Sequence, residues 1–288
     1  MNVVTFSANG EYLVGCHYCM VRVWRAADGR EMAAWEVKNV EHLAVSNDGS
    51  WIAGGTVWWD VFVWDANTYK QRYAWKDLGF INGLDFSPDS TRLVAATYNN
   101  IATIWDVATG KPAHRLHHED SVRAAKYSQR GDRIATVTNK SARIWDSEDG
   151  RLLTDVPVDC TSLIDVFWFY NHIFVATKNA IKKIERSTVS QWLTPDDGQI
   201  SHVTLQNNGK SIACATGRIV TFWDPLTRAE LATIQHPQDI KLIAFSSDDR
   251  LITIADWDKK ITIKQLYRML VNIVSCWIIV HSVFEVFD

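Results

Sequence analysis

Asn-Gly-Leu-Asp-Phe-Ser-Pro-Asp-Ser-Thr-Arg-Leu-Val-Ala-Ala-Thr-Tyr-Asn-Asn-Ile-Ala-Thr-Ile-Trp-Asp, residues 82–106, carries two signals that recur along the whole chain. The first is a short β-rich run ending in Trp, here Ala-Thr-Ile-Trp at Trp105. Its counterparts are Val-Arg-Val-Trp at Trp24, Val-Phe-Val-Trp at Trp64, Ala-Arg-Ile-Trp at Trp145 and Val-Thr-Phe-Trp at Trp223. The first four tryptophans recur with a period of about 40 residues. The interval from Trp145 to Trp223 spans two such periods, and Ile-Lys-Lys-Ile, ending at Ile184, divides it into equal halves. Ile-Thr-Ile-Lys then places Lys264 in the Trp slot one further period beyond Trp223.

The second signal is an alternating strand followed by a tight turn, Leu-Asp-Phe-Ser-Pro-Asp-Ser (84–90). Copies in the same phase are Val-Thr-Phe-Ser-Ala-Asn-Gly (4–10), Leu-Ala-Val-Ser-Asn-Asp-Gly (43–49), Ala-Lys-Tyr-Ser-Gln-Arg-Gly (125–131), Val-Thr-Leu-Gln-Asn-Asn-Gly (203–209) and Ile-Ala-Phe-Ser-Ser-Asp-Asp (243–249). Asn, Asp and Gly tolerate turn conformations that bulkier residues resist. Within the third unit the pattern predicts strands at 82–86, 92–96, 101–105 and 113–116, with no helix-period segment between them. Four strands in one such period make a single blade of a β-propeller. The expected fold is therefore an all-β, seven-bladed propeller with four-stranded antiparallel blades. Its repeats run at about 1–38, 39–79, 80–119, 120–160, 161–198, 199–238 and 239–268, forming one domain over residues 1–268.

The Trp-Asp pairs at 64–65, 105–106, 145–146 and 223–224 resemble the signature of the WD40-repeat family, over about residues 1–266. His118 and His236, each four residues ahead of a first strand, are similar to the family's Gly-His position. The wording of the repeats is closest to fungal WD-repeat proteins. The resemblance implies a polar network joining His, Ser or Thr, Asp and Trp within a blade. In the fourth unit it would combine His118, Thr136, Asn139 and Trp145; in the seventh, His236 and Asp258, with Lys264 in place of Trp. The other units lack part of the set and the fifth lacks both Trp and His. Blade cohesion is therefore expected to rest on apolar packing, with the fifth unit the weakest.

Family rings often close by lending an N-terminal strand to the last blade. Here the innermost strand begins almost at once, at Val3, so the apolar tail 269–288 is the candidate outer strand of the seventh blade. Other readings of the tail stay open: a poorly ordered end, a truncated extension, or a membrane- or partner-binding segment. Its apolar core (269–284) falls short of the ~20 residues of a spanning helix, and Asn272, Ser275 and His281 interrupt it. Its β-branched content suits a strand better.

Composition narrows the function. The chain has 30 basic and 33 acidic residues, for a net charge of −3, which argues against a mainly electrostatic nucleic-acid or membrane binder. Five scattered cysteines form no disulfide framework, and the first residues show neither a basic stretch nor an apolar core typical of a signal peptide; an intracellular location is expected. No phosphate loop, nucleophile elbow or His-Glu-x-x-His motif occurs. Cys16-His17-Tyr18-Cys19 has no second pair at zinc-finger spacing and reads as a turn. His117 reads as a solvent-exposed neighbour of a structural His118, and Asn139-Lys140-Ser141 as a sequon without consequence. Neither a catalytic residue nor a cofactor or metal is expected.

Function is best read from the turns between the second and third strands of each unit, which the resemblance places on the face used for partner docking. They carry His17 and Tyr18 in the first unit, Trp58 and Trp59 in the second, Tyr98 in the third and Trp257 in the seventh, whereas units four to six offer Thr138, Lys178 and Gly217. Units seven, one, two and three are consecutive in a closed ring, so the aromatics form one arc. Trp and Tyr lose little rotamer freedom and bury much area, which suits an interface. The expected function is a non-enzymatic scaffold or adaptor for other proteins or peptides, monomeric on its own. The alternatives are a ligand or modified-peptide recognition module, the sensor part of a longer chain, and a propeller enzyme, for which the sequence assembles no reactive groups.

Overall fold

The computed structural model describes residues 3–286 except 8, 18, 77, 195–197, 207–208, 247, 259 and 270–275; for His17 and from residue 267 onward it describes the backbone alone. The chain forms seven four-stranded antiparallel sheets, each built from four consecutive strands. The first holds β1 (Val3–Phe6), β2 (Tyr12–His17), β3 (Met20–Arg25) and β4 (Glu31–Glu36). The second holds β5 (Val40–Val45), β6 (Trp51–Thr56), β7 (Val61–Asp65) and β8 (Gln71–Trp75). The third holds β9 (Ile81–Phe86), β10 (Arg92–Thr97), β11 (Ile101–Asp106) and β12 (Pro112–His117). The fourth holds β13 (Ala124–Tyr127), β14 (Arg133–Val137), β15 (Ser141–Asp146) and β16 (Leu152–Pro157). The fifth holds β17 (Leu163–Phe169), β18 (His172–Thr177), β19 (Ile181–Glu185) and β20 (Thr188–Leu193). The sixth holds β21 (Ile200–Leu205), β22 (Ile212–Thr216), β23 (Ile219–Trp223) and β24 (Glu230–Gln235). The seventh holds β25 (Ile240–Phe245), β26 (Leu251–Asp256), β27 (Ile261–Met269) and β28 (Cys276–Val286). This is an all-β, seven-bladed propeller. Among the described residues no helix is long and apolar enough to cross a membrane.

The repeated turns have a shared chemistry. Between first and second strands, the Ser46 hydroxyl donates to Asp48 (2.6 Å) and accepts from the amide of Trp51 (2.9 Å). Ser87 with Asp89 and Ser246 with Asp248 repeat the arrangement, and Asn9 serves Ser7 in the first blade. After the third strand, the aspartate of each Trp-Asp pair accepts amides of the following turn: Thr68 at Asp65 (2.8 Å), Thr109 at Asp106 (2.7 Å), Glu148 at Asp146 (2.9 Å) and Thr227 at Asp224 (2.8 Å). That turn ends in a left-handed residue. In the third blade it is Gly110 (φ 70°), where a Cβ would come within 2.4 Å of the Tyr73 ring, so only glycine fits.

Cohesion between blades follows one rule. The fifth residue of an outer strand packs into the Trp slot of the next blade. Trp35 of β4 stacks on Trp64 at 5.1 Å, and Trp75 of β8 stacks on Trp105 at 4.7 Å. Each outer indole also donates to the carbonyl of the left-handed turn residue of that next blade, Tyr69 (2.9 Å) or Gly110 (3.0 Å). Leu116 shares a core cluster with Trp145, Val156 with Ile184, and Trp192 with Trp223. The fifth blade, which lacks the Trp, buries Ile184 in the slot and contributes Trp192 and Phe174, in edge contact at 5.4 Å. The first and seventh blades meet in a cluster of Val4, Phe6, Leu13 and Trp24 with Ala255, Ile261 and Ile263. Sandwiched between neighbours, second strands such as β6 and β10 are buried on both faces beyond their first residue.

The polar network of the fourth blade joins three of its expected members. Trp145 Nε1 donates to Thr136 Oγ1 (2.7 Å), the Thr136 hydroxyl meets His118 Nε2 (2.7 Å), and His118 Nδ1 meets the Leu116 carbonyl (3.0 Å). Asn139 instead offers its backbone carbonyl to the Cys160 amide. The seventh blade requires a correction: the partner of His236 is Asp256 (3.1 Å, both side chains buried), not Asp258. Strand β26 runs on to Asp256 and carries it inside, whereas Asp258 falls in the exposed turn beyond.

Trp105→Ala should lower unfolding free energy by about 3–5 kcal/mol in urea titration, because the indole leaves a cavity that Trp75 cannot close. A second expectation concerns pH. The amide of Thr68 at Asp65, the hydroxyl and amide of Thr109 at Asp106, and the amides of Glu148 and Asp149 at Asp146 hold these carboxyls below the ordinary aspartate range. Their contribution is complete above the unfolded-chain value near 3.8 and is lost as pH falls through their lower folded values. Burial raises Asp85 and makes it oppose this trend, but it is one group against several. Burial also holds His42 and His118 down at about 4, so they stay uncharged in the folded chain while the unfolded chain takes up protons near 6.5. Urea midpoints should therefore decline as pH falls from about 7 toward 4 and go on declining below pH 4; a midpoint rising on acidification would refute this.

Candidate partner-binding face

The turn between the second and third strands is tied to the residue that leads into the first strand of the same blade. Val57 N donates to Asn39 O (3.0 Å), Tyr98 N to Phe80 O (2.9 Å) and Trp257 N to Asp239 O (3.2 Å). All these turns therefore emerge on one face, beside the loops that join blades. On it, Trp58, Trp59, Tyr98 and Trp257 are 65, 55, 59 and 64 % exposed. Phe80, which the sequence pattern did not single out because it precedes a strand and lies in no turn, is exposed beside Tyr98. Lys241 Nζ stands 5.0 Å from the centre of the Trp257 ring, in cation–π contact. Tyr18 lies outside the described residues, and His17 ends β2, paired with Met20. Across the ring, Thr138 is buried, and Lys178 and Gly217 are exposed.

Trp59 combines exposure with backbone strain. Its φ is 75°, in the left-handed region, where the corresponding turns of the third and sixth blades use Asn100 (64°) and Gly217 (53°). Asn and Gly are tolerated there, whereas a bulky L-residue costs about 1–2 kcal/mol. Its carbonyl accepts the Leu78 amide (2.9 Å), which holds the turn in place. Folding gains little from an indole that is more than half exposed and conformationally strained.

The reactive-looking groups are occupied structurally. Burial pushes the Cys16 thiol up to about 12, and it donates to the Val40 carbonyl at 3.1 Å. Burial lowers His118 to about 4, so at neutral pH it is an uncharged link in the blade network and His117 is its exposed neighbour. Among the described residues no group of three or more His, Cys, Asp or Glu side chains is placed to hold a metal ion.

Comparison with known proteins agrees with the fold. The family described as WD domain, G-beta repeat matches residues 73–106 and 110–146. The chain is 27 % identical over 87 residues to the small ribosomal subunit protein RACK1 of Medicago sativa, covering 30 % of this chain and 27 % of that protein. It is 29 % identical over 98 residues to the F-box-like/WD repeat-containing protein TBL1X of Mus musculus, covering 33 % and 18 %. The matches thus span less than a third of these relatives' length. Two solved structures share the fold: hydrazine synthase of Kuenenia stuttgartiensis (TM-score 0.81, 17 % identity, 91 % of this chain and 94 % of that one) and the Cps50 (Swd1) β-propeller domain of Myceliophteria thermophila (0.80, 15 %, 91 % and 95 %).

Trp58 and Trp59 lie outside the matched repeats, and the strain argument makes a prediction for the second of them. Trp59→Asn should leave the urea midpoint unchanged or raise stability by up to about 1 kcal/mol, since Asn accepts the left-handed conformation. A loss of more than that would show that the ring is part of the core.

Proposed function

We propose that this seven-bladed propeller is a member of the WD40-repeat family and a non-enzymatic scaffold that docks partner proteins or peptides on its aromatic face. The observation that carries this reading is Trp59, an exposed indole kept in a conformation that suits Asn or Gly. With Trp58, Tyr98 and Trp257 it offers large rigid contact surfaces on neighbouring blades, the residue types that dominate interface hot spots. The rest of the ring supplies a rigid platform.

The relatives fit this role in their own names: RACK1 is a subunit protein of an assembly, and TBL1X a WD-repeat protein with a further F-box-like part. The fold alone does not exclude catalysis, since a similar propeller occurs in hydrazine synthase. What favours a binding role is that the reactive-looking side chains are tied into the core. The buried, unbridged thiols of Cys16, Cys160 and Cys214 suit a reducing compartment, and we place the protein inside the cell on that ground. The near-neutral charge does not favour nucleic acid, and a fungal origin rests on the wording of the repeats alone. A second reading, recognition of a modified peptide by the same aromatics, is supported by the Lys241–Trp257 contact, in which one ring of the arc already faces a cation.

Affinity purification with mass spectrometry, using the wild type and a Trp58→Ala/Trp59→Ala variant, tests the proposal. Partners should be lost from the variant, and for a purified partner Trp59→Ala alone should weaken binding by about 2 kcal/mol, near 30-fold, with little change in melting temperature. Unchanged recovery of every partner by the double variant would rule the face out.

A further inference from the structure

The innermost strands line the central channel, and their registers set their side chains in two rings. The ring nearer the turns between first and second strands is Thr5, Ala44, Asp85, Lys126, Phe167, Thr204 and Ala244; the next ring inward includes His42, Asp165 and His202. At this mouth, opposite the aromatic face, a cavity of about 450 Å³ is lined by Asp85, Lys126, Asp165 and Thr204, among others.

The charges here do not balance. Lys126 Nζ lies 3.4 Å from Asp85, whose other oxygen accepts the Tyr127 amide at 2.8 Å. Asp165 also faces this one ammonium, but the hydrogen bond it accepts comes from the Val166 amide (2.8 Å). One lysine thus serves two carboxylates in a protein-walled space, where an uncompensated charge is costly. A second observation is independent of the carboxylates: Nδ1 of His202, one channel-facing step further in than Thr204 on the same strand and near enough to Asp165 and Lys126 to sense their charges, is buried without a hydrogen-bond partner. Burial holds His202 below the ordinary imidazole range, so at neutral pH it is uncharged and available as an acceptor. The site therefore holds one negative charge in excess of positive, with an unpartnered imidazole nitrogen beside it.

We propose that this mouth of the channel binds an organic cation, an ammonium or guanidinium group, which donates hydrogen bonds to Asp165 and its neighbouring acceptors. The group comes either from a free amine or from a lysine or arginine of a partner that reaches into the channel. Lys126 remains paired with Asp85 and limits the affinity by repulsion.

Isothermal titration calorimetry of the full chain with agmatine, and separately with a capped Ala-Arg-Ala tripeptide, distinguishes the two sources by which binds more tightly. Asp165→Asn should weaken binding of the preferred probe at least tenfold, and Lys126→Met should strengthen it at least threefold. The gain in the second variant cannot come from misfolding, and a melting curve shows whether the first is folded. If neither probe binds the wild type at millimolar concentration, or if the folded Asp165→Asn variant binds as the wild type does, the proposal fails. If Lys126→Met only lowers stability and leaves affinity unchanged, the three charges are a structural clasp between blades and the proposal fails as well.

Discussion

The contact on which the molecule depends is the stacking of an outer-strand side chain on the Trp of the next blade. No single sheet of this chain can bury its own faces; each needs a neighbour on either side. Trp35 on Trp64 and Trp75 on Trp105 make that dependence concrete, because each pair adds an indole hydrogen bond to the ring contact. Where one partner is aliphatic, as with Leu116 and Val156, the position stays buried and the geometry is preserved. The slot therefore requires bulk and apolar character more than it requires tryptophan.

This explains why so much of the fold could be read from the sequence. A ring of equal wedges forces the same side chain to recur at the same step, so the spacing of Trp24, Trp64, Trp105 and Trp145 reported blade size directly. The Ser–Asp and Trp–Asp turns were legible because their hydrogen bonds are local. Partners set by exact strand length were not: Asp256 and Asp258 have the same parity, and only the end of β26 decides which one meets His236. Compensation across blades was equally hidden, as in the fifth blade, where Trp192 comes from the outer strand.

The candidate site was legible in part for similar reasons. A turn rich in Trp is visible in sequence, and so is its absence from the opposite arc. The strain at Trp59 is not, because it depends on how the turn closes, and Phe80 joins the arc only through the loop that carries it. The channel charges belong to the same class: Asp85, Lys126 and Asp165 come from three successive repeats, and only the registers of three blades set them around one cavity.

The most direct test of the account is a double-mutant cycle on Trp75 and Trp105, read as unfolding free energy in urea. If stacking between blades holds the ring, the coupling between the two should be at least about 1 kcal/mol, so that losing both costs clearly less than the sum of the single losses. Additive losses would mean that each indole stabilises only its own blade and would contradict the account.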